Sequence, residues 1–307
     1  MDDAVLEQSR SILAEKAKSF RLAATFLPPD RHDDAAIVYA FCRVVDDAAD
    51  EAPSAEAAHK ALDSIEAELR GEVAPTALVE AFLEVSARCG LELGCAFELI
   101  RGVRGDLGRV AVADDDELLR YCYRVASTVG LMMCAVLGVR DPRARAFAID
   151  LGVGMQLTNI CRDVAEDARM GRVYLPATRL KHHGASAPEL LAGDADRVAV
   201  ARVVAELLDM ADVYYASADG GMRYIPARSR LAIVVASKVY RAIGVTLRER
   251  GCDALAGRTY VPPINKAGWT LRAVGHMARP HLLGLTPPER HDRALHRALD
   301  GLPGADT

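Results

Sequence analysis

The sequence predicts an all-α protein. Helix-favouring Ala, Leu, Glu and Arg are abundant, alternating β-branched runs are scarce, and capping and stop signals fall between the apolar segments. From these we expect helices at about 4–26, 33–50, 54–70, 77–88, 92–108, 115–138, 142–169, 195–219, 227–250 and 264–278, with ends good to a few residues. Pro28-Pro29-Asp30 closes the first helix. Asp114-Asp115-Asp116-Glu117 opens 115–138 as a cap, because acids favour the positive end of a helix dipole. Asp141-Pro142 is an N-cap followed by proline at the first helical position, and Gly171 is a stop for the same helix. Gly220-Gly221 is expected to end the 195–219 helix. No Pro/Ser linker divides the chain. Residues 1–280 are therefore expected to form one helical domain, and the Gly- and Pro-rich residues 281–307 a loosely ordered tail.

Of the 307 residues, 51% are hydrophobic, ample for a core. A net charge of -5 gives no footprint for nucleic acid, which is not expected as a partner. The 7 cysteines are odd in number and contain no CxxC pair, which points to reduced thiols in a cytoplasmic protein. Met1-Asp2-Asp3-Ala4 lacks the basic region of a signal peptide. The most apolar window, 125–139, is shorter than the ~20 residues needed to span a bilayer and reads as a buried helix. The expected localisation is cytoplasmic, with membrane association through peripheral contact left open.

Two acidic runs dominate the chain: Asp46-Asp47-Ala48-Ala49-Asp50 and Asp163-Val164-Ala165-Glu166-Asp167. Each sets two aspartates at i and i+4, on one helix face, where like charges cost a bare helix roughly 0.2–0.5 kcal/mol. For either run alone, a solvated helix face is the simpler reading. The flanks argue otherwise. Ile37-Val38-Tyr39-Ala40-Phe41-Cys42 precedes the first run and Gly154-Met155-Gln156-Leu157-Thr158-Asn159-Ile160-Cys161 the second, and acids in buried helices need a partner or a metal. Carboxylates with no His or Cys beside them suit a hard cation such as Mg²⁺, with Mn²⁺ as a substitute, bridging to substrate phosphates.

Other polar residues share the helical register. Arg43 lies one turn before Asp46. Gln156, Asn159, Asp163 and Asp167 form one stripe, in which the Asn159 amide oxygen can complete an oxygen shell and Gln156 can hydrogen-bond a ligand or metal-bound water. The alternative for the amides is an interhelical hydrogen-bond network. Arg43, Arg162 and Arg172 are natural diphosphate partners, and equally natural neutralisers of nearby carboxylates. Tyr39, Tyr121, Tyr123, Tyr174 and Tyr240 lie in or beside apolar segments, where each taken singly reads as a half-buried core residue. His182-His183 and Gly152-Val153-Gly154 do not have the spacing of a zinc site or a dinucleotide fingerprint, and Met132-Met133 and Trp269 read as core.

Tyr39-Ala40-Phe41-Cys42-Arg43-Val44-Val45-Asp46-Asp47-Ala48-Ala49-Asp50 resembles the first aspartate-rich motif of the squalene/phytoene synthase family. Gln156-Leu157-Thr158-Asn159-Ile160-Cys161-Arg162-Asp163-Val164-Ala165-Glu166-Asp167, followed by Gly171-Arg172-Val173-Tyr174-Leu175-Pro176, resembles its second. Tyr121-Cys122-Tyr123-Arg124-Val125-Ala126-Ser127-Thr128-Val129-Gly130 is similar to the family's central helix, Lys18-Ser19-Phe20 to its N-terminal substrate motif, and Tyr240-Arg241-Ala242-Ile243 to its late helix. The likeness spans roughly residues 10 to 275. It departs at Ser127, where the family usually has glycine, and at Ala17, where serine is common.

The resemblance implies a single-domain isoprenoid synthase fold, with helices around a central cavity, and a Mg²⁺-dependent prenyltransferase of carotenoid biosynthesis. Two geranylgeranyl diphosphates would condense head to head through a cyclopropylcarbinyl diphosphate to phytoene, releasing both diphosphates, with no NADPH expected. A squalene or dehydrosqualene synthase using farnesyl diphosphate is the alternative, and a non-catalytic helical assembly protein of the same fold the third reading. The implied metal residues are Asp46, Asp50, Asn159, Asp163 and Asp167. The implied substrate residues are Ser19, Phe20, Tyr39, Arg43, Tyr121, Gln156, Arg162, Arg172 and Tyr240. Isoprenoid diphosphates are the implied partners, with membrane contact for product release left open. Ser127 is expected on the tunnel wall.

Overall fold

A computed structural model of the chain describes residues 2–16, 25–259, 268–269, 275, 277 and 290–306. The chain begins with α1 (Asp3–Lys16), α2 (Pro29–Asp50), α3 (Ala55–Leu69), α4 (Ala77–Cys89) and α5 (Gly94–Gly105). A two-residue strand β1 (Val110–Ala111) leads into α6 (Asp115–Cys122), a π-helical stretch (Tyr123–Ser127) and α7 (Thr128–Val136). The long helix α8 (Ala144–Arg169), β2 (Arg172–Val173) and the short helices α9 (Ala177–His182) and α10 (Ala187–Ala192) come next. The second long helix α11 (Arg197–Gly221) precedes α12 (Ala227–Glu249), and a 3₁₀ helix (Arg293–Leu299) lies near the end.

The boundaries follow local chemistry. Ser54, Asp114, Ser186 and Asp196 each accept a backbone N–H of the first helical turn, satisfying donors that have no intrahelical partner. The Asp114 run is thus the cap its sequence predicts. α8 is the central element. It packs against α11, α12, α7 and the π-helical stretch, with Ile149, Val153, Leu157 and Cys161 inaccessible to solvent. At its closest approach to the π-helical stretch, a Cβ on Gly152 would lie 2.5 Å from the Ser127 Cα, so only glycine permits this contact.

Two expectations need correction, whereas Gly220-Gly221 ends α11 as expected, Gly221 being its last residue. A Cβ there would meet the Phe147 side chain at 2.2 Å, so this glycine serves close packing against α8. The expected single helix 115–138 contains the π-helical turn, which shifts the faces of the residues beyond it. The tail expected to be loose from residue 281 is, over residues 290–306, folded onto the body. Leu299 and Leu302 are buried, and the Tyr123 and Tyr214 hydroxyls donate to the Pro303 and Leu295 carbonyls, the latter at 2.8 Å. The pairing of β1 with β2, parallel through Val110–Arg172 and Ala111–Val173, has no counterpart in the sequence reading. Most of the expected 264–278 helix lies outside the described residues. All seven cysteines are free, and among the described residues no helix is long and apolar enough to cross a membrane.

Candidate functional site

Two helices bring the acidic runs to one place. α2 contributes Asp46 and Asp50, α8 contributes Asp163 and Asp167, and all four line a single polar pocket of about 230 Å³ with Gln156, Asn159, Tyr121 and Arg172. The i, i+4 spacing on each helix turns both members of each pair toward this pocket. The short β1–β2 pairing fixes the segment after α8, and Arg172 reaches back to donate to the Asp50 carboxylate at 3.0 Å.

The four carboxylates are not equivalent. Arg162 grips Asp163 with two nitrogens, the Nε at 2.8 Å, and Arg258 lies 3.2 Å from the same carboxylate. Arg43 pairs with Asp47, the member of the first run that does not line the pocket. Asp46 and Asp167 form no hydrogen bond or ion pair among the described residues. Burial pushes each up to about 7, Arg43 and Arg172 respectively oppose the rise, and Asp50 adds to it for Asp46 as Asp163 does for Asp167. The amide pair is also incomplete. Asn159 Nδ2 donates to Gln156 Oε1 at 3.2 Å, while the buried Asn159 Oδ1 has no partner. Crowded carboxylates and an orphaned amide oxygen around one pocket are the donor set of a hard divalent cation.

The polar pocket adjoins a second cavity of about 330 Å³, and Asp46, Val125, Gln156 and Asn159 border both. The second cavity is mainly apolar, walled by Val38, Val129, Met133, Leu137, Phe147 and Leu151 among others. Tyr39, Arg43 and Tyr240 lie on its wall at the Asp46 end. Burial holds the Tyr39 hydroxyl at about 12, and burial likewise raises Tyr240, so both remain protonated donors at neutral pH.

Among the sequence-predicted residues, Tyr39, Arg43, Asp46, Asp50, Tyr121, Gln156, Asn159, Asp163, Asp167, Arg172 and Tyr240 line one or both cavities. Arg162 reaches the site through Asp163. Ser19 and Phe20, with Lys18, lie outside the described residues. Ser127 is a correction. It is fully buried, its Oγ donates to the Ile149 carbonyl of α8 at 2.7 Å, and it lines neither cavity. The π-helical turn is the reason: across it, Val125, Ala126, Val129 and Gly130 face the cavity while Tyr123 and Ser127 face other helices. Met133, read as core, also lines the cavity, whereas Met132 is buried.

Two residues of this region went unread. Asp106, just after α5, lines the polar pocket and accepts the Tyr121 and Tyr174 hydroxyls at 3.0 and 2.6 Å. The two rings stack with centroids 4.6 Å apart. Burial pushes Asp106 up to about 6, against the two tyrosines and Arg172. Arg258 spans Asp163 and Glu166. Neither residue has a periodic partner in sequence, so no local pattern marks it.

Residues 13–265 match the squalene/phytoene synthase family. The phytoene synthase of Pseudescherichia vulneris is 34% identical over 295 residues, covering 92% of this chain and 95% of that protein. The 15-cis-phytoene synthase of Pantoea ananas is 33% identical, covering 94% and 96%. Among solved structures, a dehydrosqualene synthase in complex with ligand superposes with a TM-score of 0.80 at 26% identity, covering 89% of this chain and 96% of that one. A squalene synthase from Alicyclobacillus acidocaldarius gives 0.73 at 26%, covering 81% and 94%.

Proposed function

The chain belongs to the squalene/phytoene synthase family, and on that premise we propose that it is a divalent-metal-dependent prenyltransferase joining two geranylgeranyl diphosphates head to head to form phytoene. The observation that carries this reading is the pair of acidic runs converging on one polar pocket that opens into an apolar cavity. A diphosphate head and a long hydrocarbon tail need those two environments side by side. The 33–34% identity to phytoene synthases, over more than nine-tenths of the chain, supports geranylgeranyl diphosphate over farnesyl diphosphate. Retention of the whole acid set speaks against a non-catalytic assembly protein.

In this reading Asp46, Asp50, Asp163 and Asp167, assisted by Asn159, hold Mg²⁺. The bound cation supplies positive charge for a departing diphosphate. The chain's own groups do the rest. Arg43, Arg162 and Arg172 donate to phosphate oxygens where negative charge develops. Tyr39, Tyr121 and Tyr240 donate hydroxyl hydrogens, and Gln156 orients the head group. Ser19 and Phe20 belong to the substrate site by family resemblance. One diphosphate leaves, and the second molecule's double bond attacks the allylic cation. Proton loss closes a cyclopropane, the second diphosphate departs, and the rearranged cation loses a proton to give the triene. The apolar cavity keeps water from the cations, and each buried methylene contributes about 0.8 kcal/mol to binding. No reductant is required. The expected enzyme is cytoplasmic and touches a membrane to release its hydrocarbon product.

The test is product analysis after incubation with geranylgeranyl or farnesyl diphosphate and Mg²⁺, with and without NADPH. The forty-carbon triene, formed without NADPH and abolished by chelator, is the expected product. A thirty-carbon product alone would assign the chain to the farnesyl branch.

A further inference from the structure

Far along α8 from the aspartate pocket, a buried carboxylate meets the C-terminal segment. Asp150 is fully inaccessible and sits between two histidines of residues 290–306. His291 Nε2 is 2.9 Å from Asp150 Oδ2, and His296 Nε2 is 2.9 Å from Oδ1. Ser217 of α11 donates to Oδ2 at 2.5 Å. Among the described residues no Arg or Lys pairs with Asp150. The three ligand-type atoms lie within 4.8 Å of one another.

Counting hydrogens exposes a gap. His296 Nδ1 faces the Ala305 carbonyl at 3.2 Å, and a carbonyl only accepts, so Nδ1 carries the hydrogen. A neutral His296 then turns the lone pair of Nε2 toward the Asp150 carboxylate, acceptor against acceptor. The missing positive charge is supplied either by a proton on Nε2 or by a metal ion bound to both atoms. His291 adds a second nitrogen to the same carboxylate, and its own Nδ1 is buried without a partner. Two imidazoles and one carboxylate are the ligand set of a borderline-soft divalent ion, and differ from the all-oxygen pocket of the aspartates. The outer hydrogen bonds match as well: metal-bound histidine characteristically donates its other N–H to a carbonyl, and metal-bound carboxylate accepts from a neighbour. Ala305 fills that role for His296 and Ser217 for Asp150, while His291 Nδ1 has no such acceptor.

We infer that Asp150, His291 and His296 form a structural site for one transition-metal ion of the Zn²⁺ type, clasping the C-terminal segment to α8. Among the described residues three protein ligands converge, which leaves the fourth position to water. The ion neutralises Asp150 and satisfies His296 Nε2.

The full chain, stripped by chelator and saturated with Mg²⁺ to occupy the aspartate pocket, is titrated with Zn²⁺ by calorimetry, and with Co²⁺ by absorption. One Zn²⁺ per chain, a raised Tm and a four-coordinate Co²⁺ spectrum are expected. Asp46→Asn should retain all three. His291→Ala, at the most exposed of the three ligands, should lose them, and Ser217→Ala, which keeps every ligand, should weaken Zn²⁺ by about 10- to 100-fold. Failure of wild type to bind Zn²⁺ in excess Mg²⁺ would overturn the inference and leave a proton-held imidazolium clasp. Equal binding by wild type and both site variants, each folded by circular dichroism, would also overturn it.

Discussion

The two acidic runs carry the same pattern and hold different electrostatic positions. On α2 the inner aspartate, Asp46, is open while Asp50 is held by Arg172. On α8 the order is reversed: Asp163 is gripped by Arg162 and Arg258, while Asp167 is open. Each helix thus offers one oriented carboxylate and one with strained charge. Arginine sets the geometry of one member of each pair, and the uncompensated charge of the other is what a cation relieves. Paired acids on a helix face do not by themselves make a metal site; buried acids left without a protein partner must take up a proton or a cation.

The largest effect should come from the open members. Asp46→Asn and Asp167→Asn are expected to lower kcat/KM by about a hundred- to a thousandfold, the range seen when a preorganised charge-stabilising group is lost. Asp115→Asn, in a cap bound to Arg179, should stay within about twofold. Steady-state kinetics on folded variants decides this. An essential Asp115 beside a dispensable Asp46 would break the comparison.

A smaller effect should separate the polar end of the site from its apolar end. Val129→Phe narrows the apolar cavity, at about 1–3 kcal/mol in a packed site. That cost should fall mainly on the longer substrate and shift the geranylgeranyl-to-farnesyl ratio of kcat/KM by about tenfold. Ser127→Ala loses the bond to Ile149, lowers stability by the worth of a buried hydrogen bond, about 1 kcal/mol, read as a lower Tm, and leaves the ratio unchanged. A ratio that moved with Ser127 and not Val129 would reverse the facing assigned across the π-helical turn.

Much of this was legible beforehand because it is local. Periodicity and capping mark the helices around Asp46 and Asp163, and the i, i+4 spacing tells which acids share a face. What was hidden is non-local or depends on phase. One extra residue in the turn at Tyr123–Ser127 rotates the next helix, and no residue type there announces it. Asp106, at the C-terminal end of α5, joins the pocket through Tyr121 and Tyr174, partners distant in sequence. The C-terminal residues look loose by composition, yet they are pinned by Tyr123, Tyr214 and Asp150, partners far away in sequence.

A different kind of effect concerns stability against pH in the metal-free protein. Asp46 and Asp167 titrate near 7 when folded against 3.8 unfolded. The folded chain therefore binds more protons between these values, and their contribution to stability falls as pH rises through that window. Asp46→Asn cannot ionise, so the Tm of the variant relative to wild type should climb between pH 5 and 8, and added Mg²⁺ should shrink the difference. A difference that is flat with pH would mean that Asp46 is not held under strain.

The most direct measurement is Mn²⁺ binding by electron paramagnetic resonance, with and without inorganic diphosphate, on wild type, Asp46→Asn and Asp167→Asn. Wild type should bind Mn²⁺ more tightly when diphosphate is present, and either substitution, on α2 or on α8, should remove that enhancement. Enhancement that survives both substitutions would contradict a cation held jointly by the two helices.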